Sequence, residues 1–445
     1  MPLTIGSAGL IEGESLLALI PMLIFLVLAF MPKKVPALLN PIICSIVGCI
    51  ICGVDLKQWG AEIAYACNTT VGKVGILGML GVAMGVQMER CNVNKTLCSW
   101  IVKGMHVNTL KKGIIAIMLC EFVCATLLGS MTTAIAAIYP LIIPIAASCG
   151  LSACALAALI QTVGEAGMII SPTSGPVVAV LELTGLSYSE YFIWGALPFA
   201  LIFIISIYFA TLYINKKHGA AELYDPTMYA IGEEAPTKQD ATVTIAFLIA
   251  FVALVGYTVI TNAGMNFVIT VMMILYVVLS VFGKVGLKES TDNFVKGMGK
   301  GVNILLTCIF YQFMSDVIEL GGGYTALANV FSSVSADTPS MTLLLGTLIG
   351  TFAVSGGAAA QIQIIQGMFG PMLTAVGVPM TLWAMGLICG HRATNNIYPC
   401  SNMVIPMGLL GTDNMKTQLI GCWFSAFVGV IICVIWSFVG PMLFM

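Results

Sequence analysis

Apolar runs long enough to cross a lipid bilayer follow one another along almost the whole chain. They recur from about residue 14 to about residue 441, each close to the ~20 residues that a spanning helix needs. Only 9% of the 445 residues are charged, against about 25% in a typical soluble protein. The sequence therefore predicts an all-α polytopic membrane protein.

Composition also argues against several partners and cofactors. A net charge of −2 is not that of a nucleic-acid-binding protein. Cys49 and Cys52 form a CxxC pair, but no second pair or nearby His completes a metal site, so the cysteines are expected to pack. We expect no cofactor and no metal beyond Na⁺ as a coupling ion. Met1 to Ser15 has no Lys or Arg, so the first apolar run is expected to be a retained span.

One apolar run contains residues that disfavour a continuous helix. Between Gln161 and Pro176 the chain reads QTVGEAGMIISPTSGP. Proline lacks an N–H group and pushes the residue before it out of the helical region, so a break is predicted near Ser171. Irregular backbone at membrane depth is tolerated only where protein buries it or where it lines a watery cavity. This stretch is therefore a candidate binding site.

The second half of the chain repeats the pattern of the first half. Gly377 lies 227 residues after Gly150, and Pro399 lies 227 residues after Pro172. The predicted units are a first repeat at 1–214, with a hairpin at 113–148 and a broken helix at 151–182; a cytoplasmic linker at 215–241; and a second repeat at 242–445, with a hairpin at 341–375 and a broken helix at 378–408.

The positions of Lys and Arg predict that the two repeats have opposite orientations. Connector 90–112 carries five such residues and connector 54–73 carries two, whereas 284–300 carries four and 321–340 none. Basic connectors favour the cytoplasmic side. This places the N-terminus outside and makes both hairpins re-entrant. The predicted architecture is two inverted-topology repeats, each with a re-entrant hairpin and a discontinuous transmembrane helix, in the cytoplasmic (inner) membrane.

Inverted repeats with broken helices are typical of alternating-access transporters, whose substrate binds near the membrane midplane. Free helix N-termini suit a carboxylate, while freed carbonyls and hydroxyls suit Na⁺. The candidate substrate-binding residues are Ser130, Thr132, Thr133, Pro172, Thr173, Ser174, Ser355, Gly356, Gly357, Arg392, Asn395, Asn396, Ser401 and Asn402. The candidate coupling-ion residues are Glu165, Ser130, Ser171 and Ser355.

The two broken helices carry opposite charges at equivalent positions. The 227-residue offset places Glu165 on Arg392. Charge at membrane depth is costly and indicates function. We expect Arg392 to receive a substrate carboxylate, and Glu165 to be either the coupling-proton site or the counter-charge of Arg392. A structural ion pair, or an Arg that extends to the outer interface, is the alternative. His391 either titrates near neutral pH or packs in its neutral form.

Four short stretches resemble a known group of transporters. GSMTTAIAAIYPLIIP and AVSGGAAAQ are similar to the hairpin tips of the ion transporter superfamily. SPTSGPVVAVLELTGLSYSEYF resembles the broken helix of its DcuC-type dicarboxylate carriers. The tips of its divalent-anion/sodium symporters carry Ser-Asn-Thr, whereas the tips here read Ser130-Met131-Thr132 and Ser355-Gly356-Gly357. The resemblance implies an elevator-type carrier of small organic anions, usually a homodimer, driven by Na⁺, H⁺ or exchange.

The resulting interpretation is a secondary active transporter of a small organic anion, either a di- or tricarboxylate or a sugar acid. A Na⁺/H⁺ antiporter, with its function on Glu165 and Asp316, is an alternative. Another is the large permease subunit of a TRAP-type tripartite carrier, which works with an extracellular substrate-binding protein. An enzyme is not expected, because three scattered His residues supply neither a nucleophile–base pair nor a metal cluster.

Overall fold

The described part of the chain is almost entirely helical and contains no β-sheet. A computed structural model describes residues 2–444 except 7–8, 12–13, 30–34, 36–37, 229–235, 262–263, 335–337, 353–357 and 399. Its first-half helices are α1 (Ile20–Ala29), α2 (Leu39–Cys52), α3 (Leu56–Asn68), α4 (Thr70–Arg90), α5 (Val93–Met105), α6 (Leu110–Leu128), α7 (Met131–Cys149), α8 (Ala153–Ile170), α9 (Gly175–Thr184), α10 (Tyr188–Tyr191) and α11 (Leu197–His218).

The second half adds nine helices to those of the first half. These are α12 (Lys238–Thr261), α13 (Gly264–Phe282), α14 (Leu287–Leu320), α15 (Gly323–Val334), α16 (Pro339–Phe352), α17 (Ala358–Ala375), α18 (Met380–Ile397), α19 (Ser401–Leu410) and α20 (Met415–Phe444). Within the described residues, seven helical segments are long and apolar enough to cross a membrane. The prediction of an all-α polytopic membrane protein is confirmed.

The first hairpin and the first broken helix follow from local sequence. Gly129 ends α6 with a φ of 61°, a left-handed conformation that glycine adopts without steric cost. Ser130 then caps α7 by accepting a hydrogen bond from the Thr133 N–H. After α8, Ser171 takes the extended conformation expected before Pro172. The predicted breaks of the hairpin and of this helix therefore lie where they were expected.

The helices of the two halves have matching packing partners. Helix α8 packs against α6 and α11, and α18 packs against α16 and α20. After each break the helix packs against one helix of the other half, since α9 packs against α17 and α19 packs against α7. The long helices α4 and α14 pack against each other. The inverted orientation of the halves and the re-entrant course of the hairpins remain predictions.

The broken helices lie in the centre of the molecule. In α8, 94% of the spanning window is buried, against 22% in α12. A helix that is apolar all round and also buried lies in a protein interior, whereas exposed apolar faces such as that of α12 suit lipid. The polar breaks at the ends of α8 and α18 are therefore held inside protein rather than in contact with the bilayer.

One connector of the second half differs from the sequence interpretation. The basic segment 284–300 lies mostly within α14, which is continuous for 34 residues. Lys288, Lys296 and Lys300 are on its exposed side. On its other side Gly297 lies against Ala83 of α4, where there is no room for a Cβ atom. The segment is thus an amphipathic continuation of a packed helix.

Candidate functional site

The break between α8 and α9 contains a compact group of hydroxyls. Ser171 and Thr173 hydrogen-bond through their side chains at 3.0 Å, and the Ser174 N–H donates to the Ser171 carbonyl at 3.2 Å. The Ser174 hydroxyl is fully buried and has no hydrogen-bond partner among the described residues. Pro172 contributes no N–H group. The break thus offers at least one unused donor in the protein interior.

The tip of the first hairpin touches this break. A Cβ atom on Gly129 would lie 3.1 Å from the backbone nitrogen of Ser174 and 3.1 Å from the carbonyl carbon of Thr173. Beside it, the Ser130 hydroxyl lies 3.3 Å from that of Thr132 and 3.0 Å from that of Thr133. The structure therefore brings together the predicted hydroxyls of the first hairpin and of the first broken helix.

The charged residues of the two broken helices form a buried ion pair. Arg392 Nη1 donates to Glu165 Oε2 at 2.5 Å. Their side chains are 2% and 0% exposed, so water does not screen the pair. The other carboxylate oxygen of Glu165 accepts hydrogen bonds from Asn395 at 3.2 Å and from Asn402 at 3.0 Å. Glu165 is therefore held by three donors on α18 and α19.

The donors around Glu165 are not all engaged. Arg392 Nη2 is buried and has no hydrogen-bond partner within the described residues. The same holds for both side-chain polar atoms of Asn396, which is fully buried. Leaving buried polar groups unpartnered costs free energy, so such groups indicate a ligand, a water or a functional constraint. Here one of the unpartnered groups is a nitrogen of the guanidinium that holds Glu165.

A cavity of about 440 Å³ lies beside Asn402, one of the donors to Glu165. Thr132 and Thr133 of the first hairpin and Asn402 of the second broken helix line it. Glu89 and Lys300, both exposed, are also part of its lining. Because Asn402 hydrogen-bonds Glu165, the cavity is one side chain away from the ion pair. A volume of this size suits a small organic molecule.

Gln361 of α17 is a residue of this region that the sequence interpretation did not select. Its amide nitrogen donates to the carbonyls of Gly350 and Gly390 and to the Thr394 hydroxyl, at 3.0–3.1 Å. Its oxygen lies 3.1 Å from His391 Nδ1. His391 is thus packed against an amide beside Arg392. The signal in the sequence was the glutamine that ends the tip motif AVSGGAAAQ.

Part of the predicted site lies outside the described structure. Ser355, Gly356 and Gly357, the tip of the second hairpin, lie outside the described residues. Ser401 begins α19, but its side chain is not among those described. The remaining candidates lie at the hairpin tip, at the two helix breaks or around the ion pair.

Solved structures of membrane transporters share this fold. MtrF of Neisseria gonorrhoeae, described as illuminating a class of antimetabolite efflux pumps, is similar with a TM-score of 0.57 and 16% identity over 86% of this chain and 84% of its own. The YdaH transporter of Alcanivorax borkumensis, described as having an unusual topology, has a TM-score of 0.54 and 14% identity over 86% of this chain and 88% of its own. At these identities the likeness concerns the fold.

The chain is a helical multi-pass membrane protein that shares its fold with these transporters. The family model of DcuC, the C4-dicarboxylate anaerobic carrier, matches residues 14–215. The matched segment contains the first hairpin and the first broken helix, and it confirms the resemblance to DcuC-type carriers seen in the sequence. No curated protein matches the chain in sequence.

Proposed function

We propose that this protein is a secondary active transporter of C4-dicarboxylates that binds one substrate carboxylate at Arg392. The observation that carries the proposal is the geometry of this guanidinium. It is buried, Glu165 of the other broken helix holds Nη1, and Nη2 has no partner among the described residues. A guanidinium can hold a carboxylate through two parallel hydrogen bonds, which gives it both affinity and geometric selectivity.

Unpartnered polar groups at the first helix break and on α18 would complete a small anion site. The Ser174 hydroxyl and the Asn396 amide are buried and unused within the described structure. The cavity beside Asn402 supplies an approach for a small molecule. The four carbons of the substrate would lie against the apolar residues of the same cavity. The DcuC match over the first half supports C4-dicarboxylates rather than tricarboxylates or sugar acids.

The membrane arrangement belongs to the same proposal. We propose two inverted repeats with the N-terminus outside in the cytoplasmic membrane, an elevator-type movement, Na⁺ or H⁺ coupling and a homodimer. Helix α9 of the first half packs against α17 of the second half, and the equivalent helix α19 packs against α7 of the first half. This reciprocal packing supports the repeats. The exposed apolar face of α12 supports contact with lipid. A separate extracellular binding protein is not needed for this scheme.

The proposal is tested by uptake into proteoliposomes that contain the purified protein. Radiolabelled succinate, fumarate, citrate, gluconate and propionate are offered with Na⁺ and proton gradients imposed one at a time. We expect saturable uptake of succinate and fumarate and little uptake of propionate, which has a single carboxylate. Liposomes without protein are the control. Proton-coupled Na⁺ flux without carboxylate uptake would contradict the proposal and favour the antiporter.

A further inference from the structure

A second carboxyl group lies in the protein core against α8, the helix that carries Glu165, and its surroundings are opposite to those of Glu165. Glu121 lies on α6, the first arm of the hairpin, and its side chain is fully buried. Neither of its carboxyl oxygens has a hydrogen-bond partner among the described residues. Glu165, in contrast, accepts hydrogen bonds from three side chains, one of which is a guanidinium.

The Glu121 carboxyl faces the broken helix one residue away from Glu165. A Cβ atom on Gly164 would lie 2.8 Å from Glu121 Oε1 and 2.6 Å from the Cβ atom of Met131. The absence of a side chain at Gly164 therefore leaves the space in which this carboxyl fits. The Glu121 side chain thus extends from α6 into the contact between α7, the second arm of the hairpin, and α8, the helix that carries Glu165.

No cation among the described residues lies against Glu121. Helix α8 presents Gly164 to it, α7 presents Met131, and α5 brings the Cys98 thiol next to Cys120 on α6. Helices α4 and α11 also touch α6, and neither helix gives this carboxyl a hydrogen bond. An ionised carboxylate here would lack both a counter-charge and a donor, so the site accommodates the neutral, protonated form.

We propose that Glu121, rather than Glu165, carries the coupling proton of this transporter. The inference rests on the proposed function and assigns the ion that drives it. Glu121 takes up H⁺ from the outer solution to form the neutral acid, and the buried state seen here holds that acid. It releases the same proton to the inner solution when water reaches the carboxyl in the other access state. Glu165 stays paired with Arg392 throughout.

Uptake by a neutral variant tests the assignment. In Glu121→Gln the side chain keeps its shape but cannot exchange a proton. We expect wild-type proteoliposomes to accumulate succinate under an inward proton gradient and the variant to lose this accumulation. The variant should retain succinate counterflow, which needs no gradient. The matched control is Glu182→Gln, which removes an exposed carboxyl of α9 and should behave as the wild type.

Two outcomes would overturn the proposal. One is gradient-driven accumulation by Glu121→Gln at the wild-type level, and the other is succinate uptake by the wild type that does not respond to a proton gradient. A wild-type protein that moves no carboxylate under any condition would instead overturn the proposed function itself. The two failures are therefore distinguishable in one set of vesicles.

A measurement on the unmodified protein covers the case in which Glu121→Gln does not fold. Dicyclohexylcarbodiimide is apolar and adds to protonated carboxyl groups, so it reports which buried acid carries a proton. We expect peptide mass spectrometry to find the adduct on Glu121, with a yield that falls as pH rises, and none on Glu165. An adduct on Glu165 with Glu121 unmodified would reverse the assignment.

Discussion

Arg392 and Glu165 have to be considered together, because the loss of either residue has two separate effects. The pair is fully buried, so removing one member leaves an uncompensated charge inside the protein. The same removal deletes a group that we propose binds substrate. A single substitution therefore cannot distinguish a structural ion pair from a binding site.

We predict that Arg392→Gln alone lowers stability by about 3–5 kcal/mol, as expected when one partner of a buried ion pair is removed. Adding Glu165→Gln should recover most of that loss, because the double variant buries no unpaired charge. Thermal unfolding in detergent measures both effects, with the loss of monodisperse protein as the readout. A double variant no more stable than Arg392→Gln would show that the carboxylate is not what destabilises the single variant.

At the scale of helices and hairpins, the close contact between the first hairpin tip and the first helix break is the most specific feature. We predict that Gly129→Ala strongly reduces transport, because Gly129 has a positive φ and no room for a Cβ atom beside Ser174. Its matched control is Gly150→Ala, where φ is 75° but nothing lies within 4 Å of the added Cβ atom. Succinate counterflow by the two variants measures the effect.

The two alanine variants share the strain of a left-handed conformation, which costs about 1 kcal/mol for a non-glycine residue. They differ in what the added Cβ atom meets: in Gly129→Ala it pushes the hairpin tip away from the helix break, and in Gly150→Ala it meets nothing. Equal loss of transport in both variants would mean that the backbone strain matters and the contact does not. Near wild-type transport by Gly129→Ala would show that the hairpin tip is not part of the binding site.

Much of the architecture could be predicted because proline and glycine determine local backbone geometry. The break at Pro172 and the hairpin turn at Gly129 are found where the sequence placed them. The continuous helix α14 was not predicted, because lysines spaced along one helix face look like a polar connector when the opposite face is not considered. Which donors reach Glu165 depends on side-chain positions across two halves of the chain, and no local pattern encodes these.

At the scale of the whole molecule, the predicted topology places equivalent connectors on opposite sides of the membrane. We predict that a cysteine at Ser189, which follows the first broken helix, is labelled from outside, and that one at Asp413, which follows the second, is labelled from inside. Both positions are exposed. Accessibility to a membrane-impermeant maleimide in right-side-out and inverted vesicles measures this. The exposed native Cys67 is first replaced by Ser in both.

Inverted repeats require the two labels to appear on opposite sides. Labelling of both cysteines from the same side would contradict the inverted arrangement while leaving the helical fold intact. The positive-inside argument would then fail for the second half, where connector 284–300 is part of a packed helix and not a loop.

The most direct test of the central claim is succinate counterflow in proteoliposomes that contain either the wild type or the Glu165→Gln/Arg392→Gln double variant. Counterflow needs no ion gradient, so it measures recognition of the dicarboxylate separately from energy coupling. If Arg392 binds a substrate carboxylate, the wild type exchanges succinate and the folded double variant does not. Exchange by the double variant with the KM of the wild type would show that the ion pair is structural and that the dicarboxylate binds elsewhere.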